Sequence, residues 1–230
     1  MLGIIGAMDE EISQIAELMT DVEETTIAEM TFKKGTIGGK EVVAVRSGIG
    51  KVNAAMCTQI LATYFHVDSV INTGVAGSLR NEINIGDIVI STDALQHDMD
   101  ATGFGYELGV IPRMKVSTFV ADDRLAKLAK EACIEANLGI GVHCGRVVSG
   151  DQFITDKATK QRLIDTFDGY CTEMEGAAIA QAAYLNGIPF LVIRAISDKA
   201  DDSANMDYSE FERHAIDNSV ALMKILIANI

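Results

Sequence analysis

The sequence predicts an α/β protein: a three-layer α/β/α arrangement whose central sheet, between helices, is largely parallel or mixed. Three observations carry this. Short apolar runs of strand length alternate with longer segments whose apolar residues recur at helical spacing. The 230 residues are 48% hydrophobic with only two prolines, which favours a compact core over a disordered chain. Acidic residues close several apolar runs, as in Glu173-Met174-Glu175 and in Arg194-Ala195-Ile196-Ser197-Asp198 after Pro189 to Ile193. A buried strand that ends in a carboxylate is costly unless the acid is paired or used.

Taken in order, residues 2–6 (Leu-Gly-Ile-Ile-Gly) form a short buried strand. Residues 9–20 read as a helix, with Ile12, Ile15, Ala16 and Met19 on one face. Residues 26–46 read as a strand pair turning at Gly38-Gly39. Helical spacing returns over 51–66 through Val52, Met56 and Ile60. Strands follow at 68–72 and 87–91. Residues 92–117 are irregular, yet hold Phe104, Tyr106, Ile111 and Pro112, an apolar content that suggests function or an interface. Residues 122–137 place Leu125, Leu128, Ala132 and Ala136 in helical register. Strands are expected at 141–149, 170–174 and 189–196, and helices at 176–186 and 207–229. No linker or repeat divides the chain, so 1–230 reads as one domain.

Composition narrows the function. A formal net charge of -14 disfavours nucleic acid and anionic membrane surfaces, both of which select Lys and Arg. Cys57, Cys133, Cys144 and Cys171 form no C-x-x-C pair and are expected to be buried free thiols in a reducing compartment. The apolar start runs straight into Asp9-Glu10-Glu11, unlike a signal peptide, and no run reaches membrane-spanning length. A cytoplasmic protein is expected.

Several motifs admit more than one reading. Ser47-Gly48-Ile49-Gly50-Lys51-Val52-Asn53 resembles a dinucleotide fingerprint, but Asn53 replaces the third glycine. It is not a P-loop either, since Val45 stands where the first glycine belongs. Asn72-Thr73-Gly74-Val75-Ala76-Gly77 could be a tight turn needing positive φ, or a floor for a flat ligand. Glu11 could simply complement a helix dipole, as Asp9 and Glu10 would. His97-Asp98-Met99-Asp100 lacks a second ligand cluster, so no metal site is expected. Phe153-Ile154 could be core packing. Taken together, Glu11, Glu175 and Asp198 suggest a carboxylate-lined pocket suited to acid/base chemistry on a small polyol-like substrate.

Six segments occur together in an informative order: Gly6-Ala7-Met8-Asp9-Glu10-Glu11, Ser47 to Lys51, Asn72-Thr73-Gly74, Ser149-Gly150-Asp151-Gln152-Phe153-Ile154, Glu173-Met174-Glu175 and Arg194 to Asp198. In order and spacing they resemble the bacterial 5′-methylthioadenosine/S-adenosylhomocysteine nucleosidases of the purine nucleoside phosphorylase superfamily. The resemblance spans essentially the whole chain. It implies a nucleoside phosphorylase-like fold and hydrolysis of the N-glycosidic bond of adenosine-type nucleosides, as in methionine salvage, without metal or organic cofactor.

By that resemblance Asp198, held by Ser197, protonates adenine N7. Glu175 grips the ribose hydroxyls with Met174 beside the sugar, and Glu11 orients and deprotonates the attacking water. Phe153 stacks on adenine and the Ile154 backbone reads its Watson–Crick edge. Ile49 lies near the 5′ substituent, Met8, Ala76 and Gly77 line the nucleoside pocket, and Glu173 and Arg194 support it. The resemblance further implies a homodimer in which Phe104 and Pro112 of one subunit complete the neighbour's 5′-alkylthio pocket. Val75 replaces a serine of some members, and Tyr208 stands where some carry phenylalanine near the ribose. A phosphorylase remains the competing reading, but it needs cations for phosphate. Here the first strand is followed by three acids, with only Arg46 and Lys51 near the early glycine loops. A non-catalytic purine binder would not need Glu11, and hydrolysis of another 5′-modified nucleoside such as aminodeoxyfutalosine stays open.

Overall fold

The structure, a computed structural model, describes residues 1–230 apart from the side chain of Ser209. Ten strands form one mixed sheet. Strand β1 (Leu2–Gly6) pairs in parallel with β4 (Lys40–Arg46) and with β5 (Ser69–Ser78). β5 pairs in parallel with β10 (Phe190–Asp198), and β10 runs antiparallel to β6 (Ile88–Gln96). β6 is parallel to β8 (Val142–Ser149), β8 to β9 (Cys171–Glu173), and β9 returns antiparallel to β5. The sheet therefore closes on itself through β5, β10, β6, β8 and β9, while β1, β4, β3 (Met30–Ile37) and β2 (Thr20–Ile27) extend from it. The short β7 (Thr118–Val120) pairs with β6.

Helices cover both faces, as the alternation of patterns predicts. α2 (Lys51–Thr63) and α5 (Gly176–Asn186) pack together on one side. α1 (Asp9–Ala16), α3 (Asp123–Ala136) and α6 (Ala204–Asn229) pack on the other. β1 and β10 are buried along their whole length, which is why they read as continuous apolar runs. α4 (Lys157–Phe167) covers a second small core of Leu79, Leu95, Val148, Ile154, Leu163, Phe167 and Ala200.

The structure corrects several expected boundaries. The pair expected at 26–46 is a three-strand meander, because Thr20–Ile27 is an exposed, charged edge strand without an apolar face. That strand also ends α1 early. β5 runs on to Ser78, so 73–77 is strand, and neither Gly74 nor Gly77 has a positive φ; the tight-turn reading fails. β6 continues to Gln96 through a register shift between Ser91 and Ala94, where polar residues break the apolar run. α4 has no counterpart among the predicted helices, although Asp156 caps it by accepting from Thr159 N–H at 2.8 Å. Of the four thiols, Cys144 is exposed and the others are buried.

Candidate active site

A cavity of about 340 Å³ opens where β1, β5, β9 and β10 end, at the position where open α/β sheets bind ligands. Its lining brings together Met8, Glu11, Ile49, Ala76, Gly77, Phe153, Glu173, Met174, Glu175, Ser197, Asp198 and Tyr208 from the predicted set. Arg194 lies buried beneath the floor, and the Ile154 side chain packs in the second core. Among the described residues, no other group of this chain hydrogen-bonds the Ile154 backbone. Phe104 is 86% exposed on a 3-10 turn (Thr102–Phe104), and neither it nor Pro112 lines the cavity.

Glu11 occupies the third position of α1, and its carboxylate turns back over the helix start. Oε2 accepts from Ala7 N–H at 2.6 Å and Met8 N–H at 3.1 Å, while Oε1 accepts from Val75 N–H at 3.1 Å. The dipole reading is thus partly right: Glu11 caps its own helix. It also reaches the cavity, whereas Asp9 is exposed and pairs with Arg46 at 3.2 Å. A carboxylate has about four acceptor sites. Three are occupied here, leaving one. Burial pushes the carboxyl above its ordinary range, opposed by Arg194 and these N–H groups. Val75 contributes its backbone, so a serine hydroxyl at this position is not needed for the contact.

This approach requires Gly74. A Cβ there would lie 2.8 Å from Glu11 Cδ and 2.9 Å from Arg194 Nη1. Arg194 is fully enclosed and central to the electrostatics. It donates to Glu173 through Nε at 3.2 Å and more closely through Nη2, donates to Asn72 Oδ1 at 2.5 Å, and stands 3.7 Å from Glu175 Oε2.

Glu173 and Glu175 are two residues apart but differ in what they can do. Glu173 accepts from Arg194, from Ser149 Oγ, from Glu175 N–H at 3.1 Å and from Gly176 N–H at 2.7 Å. Burial would raise its carboxyl, but Arg194 and Ser149 outweigh that and hold it below the ordinary range. Its acceptor capacity is spent on the protein. Among the described residues Glu175 accepts only from Gly50 N–H, at 2.9 Å, and it faces the cavity with capacity to spare. Burial, then the Glu173 charge, push it up to about 7 against Arg194.

Asp198 is aimed by a bulge. β10 pairs Ile196 with Ala76 and then Asp198 with Gly77, so Ser197 is the extra residue. Asp198 Oδ2 accepts from Ser197 Oγ at 2.9 Å and Oδ1 from Ala200 N–H at 2.8 Å. Burial nevertheless pushes the carboxyl above its ordinary range, with Asp207 and Asp201 adding to it.

At the mouth, the Phe153 and Tyr208 rings meet edge to face at 5.8 Å. The Tyr208 hydroxyl donates to Glu212 at 2.5 Å and contacts Met8 Sδ at 3.5 Å, so its proton is held by Glu212. Ala7 and Thr172 also line the cavity without having been singled out. Their positions beside Met8 and before Glu173-Met174 were the available signal. Among the described residues no group of three His, Cys, Asp or Glu is placed to hold a metal ion.

A closed mixed sheet with an acid-lined cavity at its strand ends defines the class, and the comparisons agree. A family model described as the phosphorylase superfamily matches residues 1–228. The 5′-methylthioadenosine/S-adenosylhomocysteine nucleosidase of Staphylococcus carnosus (strain TM300) is 46% identical over 220 residues, 95% of each chain. The crystal structure of the Neisseria meningitidis nucleosidase of that name, in complex with methylthio-immucillin-A, matches with a TM-score of 0.95 at 37% identity, covering 100% of this chain and 99% of that one. A structure of Helicobacter pylori futalosine hydrolase matches with a TM-score of 0.94 at 36% identity, covering 100% of this chain and 97% of that one. The chain belongs to the 5′-methylthioadenosine/S-adenosylhomocysteine nucleosidase family within the phosphorylase superfamily.

Proposed function

We propose that residues 1–230 act as one nucleosidase domain that hydrolyses the N-glycosidic bond of 5′-methylthioadenosine and S-adenosylhomocysteine, releasing adenine and the 5-thioribose product. One observation carries hydrolysis over phosphorolysis. The cavity presents Glu11, Glu173, Glu175 and Asp198, and among the described residues its lining contains no Lys, Arg or His. Phosphate would meet carboxylates with no cation to receive it. Arg46 is paired to Asp9, and Lys51 to Asp98.

In this reading the bond breaks as the ribose becomes oxocarbenium-like and adenine leaves as a poor anion. Asp198, whose carboxyl burial pushes above its ordinary range, gives its proton to adenine N7. Glu175, with one N–H partner and free acceptor capacity, takes the ribose hydroxyls. Glu11 uses its remaining acceptor position for the attacking water, the three N–H groups fixing its carboxylate. Phe153 offers a face for adenine beside Tyr208, and the Ile154 backbone, without a partner among the described residues, can read its edge. Glu173 and Arg194 position these groups rather than touch the substrate. The free thiols suit a reducing cytoplasm, where the reaction would serve methionine salvage.

A homodimer completes the reading. The exposed Val52 on α2 and Leu185 on α5 line a shallow apolar groove between those helices, and the chain that leads to the exposed Phe104 leaves that groove at Gln96. A partner seated there would cover these side chains and bring Phe104 and Pro112 toward the neighbouring cavity.

Turnover of 5′-methylthioadenosine in phosphate-free buffer tests the proposal. The expected products are adenine and free 5-methylthioribose at full rate. Strict phosphate dependence with a sugar 1-phosphate product would make the protein a phosphorylase. The likeness to a futalosine hydrolase makes aminodeoxyfutalosine the informative second substrate in the same assay.

A further inference from the structure

Lys51 is an unfavourable first residue for a helix, since a cation there opposes the helix dipole, and α2 has no acid in its first turn. Its partners come from elsewhere. Lys51 Nζ donates to Asp98 Oδ1 at 2.6 Å and to Gln96 Oε1 at 3.0 Å. Lys51 N–H donates to Asp151 Oδ1 at 2.8 Å, and Asp151 N–H donates to Asp98 Oδ2 at 2.9 Å. The three residues close a ring of hydrogen bonds joining the start of α2, the end of β6 and the turn after β8. None of them lines the cavity. Both side chains of the ion pair are withdrawn from water, at 18% and 17% exposure.

Each arm of the ring ends on a group of the cavity. Gly50, directly before Lys51, donates to Glu175 at 2.9 Å, and Ile49 before it lines the wall. Gly50 has φ of +96°, and a Cβ there would stand 3.1 Å from Asp151 Oδ1, so the backbone is fitted against this clamp. Phe153 follows two residues after Asp151. We propose that the Lys51–Asp98–Asp151 ring positions the nucleoside site, setting the Gly50 N–H on Glu175 and presenting Phe153 at the mouth. The inference rests on the nucleosidase reading for its kinetic consequences, but its structural content does not.

Glu175 reports on the clamp. The charged groups that face it are Glu173 on β9, Arg194 on β10 and Glu11 on α1, and the Gly50 N–H bonds it from the start of α2. Glu173 and Glu11 favour its protonated form; Arg194 and the Gly50 N–H favour the carboxylate. Loosening Gly50 removes one of the two contacts that favour ionisation, so the Glu175 titration must move upward.

The test compares wild type with Lys51→Met, Asp98→Asn and Lys51→Arg. The measurements are KM and kcat for 5′-methylthioadenosine, the acid limb of kcat/KM, and the Glu175 carboxyl titration by carbon NMR of labelled protein. Lys51→Met and Asp98→Asn are expected to raise KM about tenfold with a smaller change in kcat. They are also expected to move the Glu175 titration up by about half a pH unit to one. Lys51→Arg, which keeps the cation, is expected to restore both. Should Lys51→Met not fold, the isosteric Asp98→Asn carries the same comparison. Variants that lose thermal stability but keep wild-type KM and an unmoved Glu175 titration would overturn the proposal, leaving an ordinary structural ion pair. Wild-type protein that fails to cleave the nucleoside would instead sink the nucleosidase reading, and the NMR titration would still judge the clamp.

Discussion

Asp198 lies directly across from Gly77 in the paired strands, and a Cβ on Gly77 would stand 2.7 Å from Asp198 Oδ1. The same Cβ would meet Ala200 Cβ at 2.8 Å, so both the carboxylate and the turn behind it depend on that missing atom. Gly77→Ala is therefore expected to displace Asp198 without removing it. Misplacement of a reacting group by about 1 Å costs on the order of 10²-fold in rate. Steady-state assays should show the loss mainly in kcat, with far-ultraviolet circular dichroism unchanged. A Gly77→Ala protein with wild-type kcat would mean that Asp198 need not sit where this pairing holds it.

Asp198→Asn tests the proton itself. The amide matches the acid in size, and its one oxygen can accept from Ala200 N–H while its NH2 donates to Ser197 Oγ, so packing should survive. It cannot release a proton to adenine. General acid catalysis contributes about 10²–10⁴-fold, and turnover should fall by that order. Binding of a transition-state-like inhibitor, measured by calorimetry, should fall much less. Near-wild-type turnover would remove Asp198 from the chemistry.

Glu175 should make stability depend on pH in a known direction. Its carboxyl titrates at about 7 in the folded protein against an ordinary 4.5. The folded state then holds a proton that the unfolded chain releases between those values. The stability contributed by this group is full below pH 4.5 and is lost as pH rises through 7. Glu175→Gln cannot ionise and escapes that loss. The unfolding free energy of the variant minus that of wild type should grow from pH 4.5 to pH 8 by up to about 3 kcal/mol. Urea titrations at several pH values would show it, and a flat difference would place the Glu175 titration in its ordinary range. Because the ribose contact needs the carboxylate, kcat/KM of wild type should fall below about pH 7 over the same window.

What could be read from the sequence follows from which features are local. The buried strands β1 and β10 announce themselves as unbroken apolar runs, and α3 by its apolar spacing. The acids at strand ends stand out because a carboxylate beside such a run needs a reason. Edge strand β2 and helix α4 were missed because they are largely polar and gain their order from pairing and packing. The distinction between Glu173 and Glu175 could not be read either. It depends on Arg194, Ser149 and Gly50, which are 21, 24 and 125 residues from the acid each contacts. The Ser197 bulge likewise exists only in the register against β5.

The proposed dimer gives the last test. Phe104 is 86% exposed, and Val52 at 71% and Leu185 at 65% line the α2–α5 groove. Left in water, such a patch invites association. A two-fold contact would bury it and let each subunit lend Phe104 and Pro112 to its neighbour. Phe104→Asp would place an unpaired charge in that apolar contact, which costs more than the lost burial alone. Phe104 belongs to no core cluster of its own chain, so the fold should be indifferent to the change. The expected outcome is a weakened dimer by light scattering, a raised KM for 5′-methylthioadenosine and an unchanged melting curve of the dissociated subunit. Activity should then recover in part as protein concentration rises and the dimer reforms. A wild-type protein that runs as a monomer at full activity would refute the shared pocket while leaving Glu11, Glu175 and Asp198 untouched.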